Sequence, residues 1–201
     1  VSIRSPRHAV DMGIGMVHQH FRLIPTLTAA ENVFLYMPEC KLILNNKEME
    51  EQIGKWSKEF HLDVDPSALI WQLSVGEQQR VEIVKLLCRG ADILILDEPS
   101  AVLTAQEAKE MFHVLRRMAD SGKSVVVISH KMNEVMEFAD RITVLKGGEV
   151  EDTMPASEAT VERLTKAVVG ERELKPHKNE GGTKREEVVL EVRDLTVKND
   201  R

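Results

Sequence analysis

Apolar positions follow two kinds of pattern along this chain, and the change between them falls at Asp92. Before Asp92 they recur mainly at helical spacing; after it, short unbroken apolar runs alternate with helical stripes. Lys47 to Phe60 carries Met49, Ile53, Trp56 and Phe60 three or four residues apart, which puts them on one side of a helix. That stripe reads first as core packing and second as a docking face. Glu77 to Arg89 passes from polar to apolar and predicts another helix, and after Gly90 comes the unbroken run Ile93 to Leu96. Such a run fits a buried parallel strand, and Val125 to Ile128 fits a second. Ala105 to Ala119 separates them as a helix, with Ala108, Met111, Phe112, Leu115 and Met118 on one side and Gly122 ending it. Further helices are expected at Lys131 to Ala139 and Glu158 to Val169. Arg141 to Leu145 predicts a strand that turns at Gly147–Gly148 and continues from Glu149 to Asp152. Strands separated by helices indicate an α/β fold with a largely parallel sheet.

The earlier part of the chain is more broken. Ser5 and Pro6 open a short helix over Arg7 to Met12, and Ile14 to Phe21 reads as a short strand or its edge. If that strand continues, His18 and His20 share one face and Gln19 takes the other. No Cys or carboxylate lies at ligand spacing beside the two histidines, so they do not read as a metal site. Thr28, with Glu31 three residues on, predicts a capped helix over Ala29 to Leu35. Pro38 to Asn46 is weakly patterned, and Trp71 reads as a packing anchor. Gly170 to Glu187 has five acidic and five basic side chains and almost nothing apolar, the composition of a linker. Val188 to Val197 then alternates apolar and polar residues, as a strand pair opening a further domain would.

Composition narrows the classes. A chain of 201 residues can bury a substantial core, and 42% apolar with 30% charged residues describes a globular protein. The formal charge of −6 argues against nucleic acid or an anionic membrane surface as the main partner. No stretch reaches transmembrane length, and the first residues lack a basic region followed by an apolar core, so no secretory signal is visible in them. Cys40 and Cys88 suit a reducing compartment better than a disulfide framework. Val1 is not a start methionine, and Arg201 follows soon after a new strand pattern, so a fragment of a longer protein is expected.

The chemistry concentrates between Leu73 and Pro99. There Ser74 and Gly76 precede a helix, and the apolar strand closes on Asp97, Glu98 and Pro99. Charged residues at strand C-termini mark the ligand-binding edge of an α/β sheet, and His130 closes the next strand in the same way.

These residues carry a resemblance. The sequence is similar to ATP-binding-cassette transporter ATPases, and within them to the tandem-cassette proteins that energise bacterial import of simple sugars and nucleosides. Gln19, in GMVHQHF, matches the family's Q-loop glutamine, near the Mg²⁺. Leu73, Ser74, Val75, Gly76 and Glu77–Gln78 match the signature motif. Ile93 to Asp97 matches the Walker B strand, Glu98 the catalytic glutamate, Ala101 to Thr104 the D-loop and His130 the switch histidine. The resemblance covers nearly all of Val1 to Gly170, and Glu191 to Val197 resembles the start of a second cassette.

The resemblance implies a P-loop NTPase-like domain at 1–170, truncated, with a helical subdomain over about 28–90. A linker at 171–187 and the start of a second cassette at 188–201 would follow. It implies ATP and Mg²⁺ as cofactors, with Asp97 and Gln19 near the metal. It also implies a permease in the membrane, a second cassette domain and an extracytoplasmic substrate-binding protein as partners, a place on the cytoplasmic face of the membrane, and no role for nucleic acid. The chemistry suits these roles. Asp97 offers hard oxygen to Mg²⁺, Glu98 can polarise a water, and His130 can hydrogen-bond the γ-phosphate or that water. Ser74 and the N–H groups near Gly76 lie at a helix N-terminus, where unpaired donors meet phosphate oxygens.

Departures temper this. No GxxxxGK[ST] occurs in the sequence, so the phosphate cradle and its lysine are expected upstream of Val1, and ATPase activity of the chain alone is expected to be weak or absent. Ser100 stands where the family usually has threonine, and Ala101 to Thr104 lacks the common D-loop aspartate. Two other readings remain: a non-catalytic interaction fragment that needs a complementary chain, and a soluble cassette ATPase of DNA repair or translation. The second is disfavoured by the short Gln19–Ser74 interval and the two cysteines.

Overall fold

Leu94 and Leu96 are fully buried at the centre of a three-stranded parallel sheet. The computed structural model describes residues 2–35, 37, 46–60 and 62–170. Its strands are β1 (Ile14–Val17), β2 (Ile93–Asp97) and β3 (Ser124–Ile128), in the order β1-β2-β3. Val17 lies opposite Leu96, and Asp97 opposite Ile128. One face of the sheet, with Val17, Leu94, Leu96, Val125 and Val127, packs against α4 (Val75–Cys88) and α5 (Ala105–Asp120). Gly15 lets β1 approach α4. A Cβ there would lie 3.1 Å from both terminal methyls of Leu86 and 3.2 Å from the Ala91 Cβ, tighter than ordinary contact.

The other face is open among the described residues: Met16, Val126 and Ile128 are exposed. This corrects the expectation that Val125 to Ile128 is a fully buried strand. An unbroken apolar run shows only that both faces can be covered.

Helices α1 (Pro6–Asp11), α2 (Ala29–Phe34) and α3 (Asn46–Phe60) precede α4. Thr28 and Glu31 form the expected capping box at the start of α2. Met49 and Ile53 of α3 are buried in the main core, and Trp56 and Phe60 pack on it half-buried. The α3 stripe is therefore core, not a free docking face. The aligned stripe of α5 is likewise buried throughout.

Several local expectations shift. β1 stops at Val17, so His18 and His20 do not share a strand face. Trp71 is 63% exposed and does not act as a packing anchor. Its short 3-10 turn, Ile70–Gln72, is fixed through the backbone instead, with Trp71 N–H donating to the Pro25 carbonyl at 3.2 Å. α4 begins at Val75, two residues before the expected Glu77, because Ser74 caps it.

The remaining elements are α6 (Met132–Phe138), β4 (Arg141–Lys146), β5 (Glu149–Pro155) and α7 (Val161–Val169). β4 and β5 form a separate antiparallel hairpin, turned at Gly147 and Gly148, both at positive φ. A second small core lies under it, around Ile142, Met154 and Leu164. Cys88 is a free, half-buried thiol whose pKa burial pushes up. Cys40, most of the weakly patterned Pro38–Asn46 stretch, the linker at 171–187 and the strand pattern at Val188 to Val197 lie outside the described residues.

Candidate functional site

Three loops meet at the C-terminal edge of the parallel sheet. Gln19 follows β1, Glu98 follows β2 and His130 follows β3, each within two residues of its strand. Glu98 is the hub. Its Oε2 accepts from Gln19 Nε2 at 3.2 Å, and its Oε1 lies 3.1 Å from His130 Nδ1. The Glu98 N–H donates to the Ile128 carbonyl at 2.9 Å, so the β2–β3 pairing runs one step past the strand end. Glu98 sits at φ +46, in the left-handed region, where a side chain with Cβ is strained by about 1–3 kcal/mol. The Glu98 side chain is 31% exposed and the His130 side chain 71%, so both can reach a ligand on the sheet edge.

A second network braces these loops, and the sequence pattern did not reveal it. Ser100, 2% exposed, donates its hydroxyl to Glu134 Oε2 at 2.5 Å. Lys131 Nζ donates to the Ser100 carbonyl at 2.7 Å and pairs with Glu134 at 3.2 Å. The Lys131 N–H also donates to Ser129 Oγ at 3.1 Å. The loop carrying His130 is thereby tied to the loop carrying Glu98. Lys131 and Glu134, three apart at the start of α6, gave a local clue; their contact with Ser100 spans more than thirty residues and gave none.

The Ser74 end of α4 is arranged differently. Ser74 N–H donates to Glu77 Oε2 at 2.7 Å, and Glu77 N–H donates to Ser74 Oγ at 3.4 Å, closing a capping box. Hydrogen bonds from Ser74 hold the Glu77 carboxyl below its ordinary pKa. The Ser74 side chain is thus turned toward Glu77, accepting from its N–H and stabilising its carboxylate. Gly76 is buried, and a Cβ on it would lie 3.3 Å from a Glu107 carboxylate oxygen.

The structure thus brings Gln19, Glu98 and His130 into direct contact, with Asp97 beside them as the last residue of β2. It does not join Ser74, Gly76 or Glu77 to that group by any hydrogen bond. Val75 and Gln78 of α4 share a groove with Gln19. That groove, of about 450 Å³, is also lined by Phe21, Leu23, Trp71 and Val102.

Comparison with known proteins gives the family. The family model described as ABC transporter matches residues 2–101, which include Gln19, Ser74 to Glu77, Asp97 and Glu98 but not His130. The nucleoside import ATP-binding protein NupA of Lactococcus lactis is 43% identical over 201 residues, covering 100% of this chain and 40% of NupA. The ribose import ATP-binding protein RbsA of Caldanaerobacter subterraneus is 40% identical over 200 residues, covering 98% of this chain and 40% of RbsA. Among solved structures, dimeric MJ0796, a bacterial ABC transporter cassette, superposes with a TM-score of 0.59 at 34% identity, covering 71% of this chain and 62% of that one. The chain belongs to the ABC transporter ATPase family. It spans about 40% of the length of the curated relatives it matches. A second MJ0796 structure, bound to ADP and Pi, superposes with a TM-score of 0.62 at 29% identity, covering 76% of this chain and 68% of that one.

For an ABC ATPase the donor set at this edge fits Mg²⁺. Among the described residues no group of three His, Cys, Asp or Glu side chains could hold a metal by itself. Mg²⁺ needs no such cage, because it is commonly held by one or two protein oxygens with nucleotide phosphates and water completing the octahedron. The Asp97 carboxylate and the Gln19 amide oxygen are the candidate protein ligands.

Proposed function

We propose that this chain forms part of an ATP-binding and ATP-hydrolysing subunit that energises import of a simple sugar or a nucleoside. The observation that carries the proposal is the Gln19–Glu98–His130 cluster, assembled from three strand ends and centred on a strained carboxylate. Phosphoryl transfer depends mostly on positioning and on charge stabilisation. Glu98 orients and polarises the attacking water, His130 donates toward the γ-phosphate or that water, and Gln19 and Asp97 stand where Mg²⁺ would be held. Bound Mg²⁺ would neutralise charge developing on the phosphates. Ser74, Val75, Gly76 and Glu77 serve a different nucleotide, held by a second cassette that closes head to tail on this one. The N–H groups of Val75 and Gly76 in the first turn of α4, which have no carbonyl partner within the helix, are the donors for it.

The partners follow from this role. A permease in the membrane would meet the solvent-facing side of α3, opposite its buried stripe. A substrate-binding protein outside the membrane would act through the permease, and the chain would work at the cytoplasmic face. The relatives' greater length supports reading 1–170 as one cassette, 171–187 as a linker and 188–201 as the start of another. The open sheet face supports a second reading in part: residues 1–170 require a complementary polypeptide, supplied in the same chain or separately, to be active.

Phosphate release tests both. The 201-residue chain alone is expected to show little or none. Adding a polypeptide that carries GxxxxGK[ST] should restore turnover, and Glu98→Gln should lower it about a hundredfold or more while nucleotide binding persists. Turnover that survives Glu98→Gln within twofold would remove Glu98 from the mechanism.

A further inference from the structure

Helix α4 carries a buried ion pair that the proposed nucleotide chemistry does not use. Glu82 and Lys85 are each 4% exposed, and Lys85 Nζ lies 2.5 Å from Glu82 Oε2. Burial lowers the Lys85 pKa, and hydrogen bonding to Glu82 opposes that shift. A buried pair of this kind seldom stabilises a fold more than apolar residues of the same volume would, so its use lies in what it fixes.

Both charges fix one residue. Glu82 Oε1 accepts from the Arg22 N–H at 2.7 Å, and Lys85 Nζ donates to the Arg22 carbonyl at 3.4 Å. Arg22 lies beyond the end of β1 at Val17, so no strand ladder satisfies its peptide groups. Two residues on, Ile24 is held the same way from α2. Asn32, 2% exposed, accepts from the Ile24 N–H at 2.7 Å and donates to the Ile24 carbonyl at 3.1 Å. The segment after Gln19 is therefore gripped at alternate residues by buried polar side chains, Arg22 by α4 and Ile24 by α2.

We propose that Glu82 and Lys85 are positioning residues that fasten the Gln19 segment to α4, so that the Gln19 amide facing Glu98 and the Ser74 end of α4 shift together as one body. The functional meaning rests on the roles proposed for Gln19 and Ser74. The fastening itself does not, so the test reads geometry and leaves hydrolysis aside.

Nuclear magnetic resonance of the 201-residue chain provides it. In Glu82→Ala, the Arg22 amide should exchange with solvent at least tenfold faster relative to the Val84 amide on the same helix. The side-chain NH₂ signals of Gln19, which report its bond to Glu98, should move as well. Glu82→Gln keeps an oxygen for the Arg22 N–H and should restore both. An Arg22 amide that keeps its relative protection in Glu82→Ala overturns the proposal. So do Gln19 signals that stay in place while Arg22 is released, and so does failure of Glu82→Gln to restore either readout. If Glu82→Ala does not fold, the unaltered chain decides: Arg22 exchange within tenfold of Val84 supports the proposal, and exchange as fast as an exposed loop overturns it.

Discussion

The two ends of the stretch from Ser74 to Glu98 were built by opposite means. At the Ser74 end the capping hydrogen bonds are local: a serine and a glutamate three residues apart satisfy each other's backbone N–H. At the Glu98 end the contacts are with residues 79 and 32 positions away, and the backbone is held at positive φ. The first arrangement is relaxed and stabilises its helix. The second is strained, and the sheet topology maintains it. Strain at a ligand edge is expected where a side chain must be aimed at a reacting atom instead of being packed away.

Removing the brace beneath the strained end should have the largest effect on stability. Ser100→Ala deletes the hydroxyl that Glu134 accepts, in a site where Ser100 is buried. It should cost about 1–2 kcal/mol in urea unfolding, as loss of a hydrogen bond to a charged group does when the carboxylate keeps a second partner, here Lys131. It should also broaden the His130 ring resonances, because the Lys131–Glu134 pair then loses part of its hold on the Glu98 loop. A Ser100→Ala chain with unchanged stability and sharp His130 signals would mean that the two loops keep their places without the brace.

The next comparison has opposite signs at the two ends. Ser74→Ala removes a helix cap and should destabilise the chain by about 1 kcal/mol. Glu98→Gly should do the reverse. Glycine adopts positive φ without the Cβ penalty, and its own entropic cost of about 0.5–1 kcal/mol recovers only part of the strain released. A net gain of about 1 kcal/mol is expected, read as a higher urea midpoint at unchanged slope. Destabilisation by both substitutions would show that the Gln19 and His130 contacts outweigh the backbone strain at Glu98.

The same contrast governs how much could be read without coordinates. Capping boxes are local, so the start of α2 was legible from Thr28 and Glu31. The similar Ser74–Glu77 box is harder to see, because the polar-to-apolar run suggests a helix that starts only at Glu77. The apolar runs located the strands, and the carboxylates after Ile93 to Leu96 located the edge of the site. What pattern could not supply was distance between segments. It could not say that Trp71 would be exposed, because its turn is fixed by backbone bonds to Pro25. It could not say that one face of Val125 to Ile128 would stay open, because an apolar strand looks the same with one covered face or two. Nor could it find Ser100 with Glu134, or Glu82 with Arg22, since nothing in either local sequence anticipates the other.

The smallest effect expected is the most specific to the relaxed end. Glu77 titrates below its ordinary value of 4.5 because Ser74 hydrogen-bonds its ionised form. A carboxyl lowered in the folded state contributes stability that is fully present above its unfolded pKa and is lost as pH falls through the folded one. Its contribution therefore disappears only below about pH 4.5. Glutamine is accepted at the same position of a capping box, so Glu77→Gln should change stability by no more than about 0.5 kcal/mol at pH 7. Below pH 4.5 the mutant should lose stability less steeply than the unaltered chain. Asp65, Glu107 and Asp152 are lowered too, each by hydrogen bonds, and keep part of the acid slope in both proteins. Urea unfolding followed across pH 3 to 7 (about one point per half unit) separates the cases. Parallel curves would mean that the Ser74–Glu77 box opens in solution and that the α4 start is less closed than its hydrogen bonds indicate.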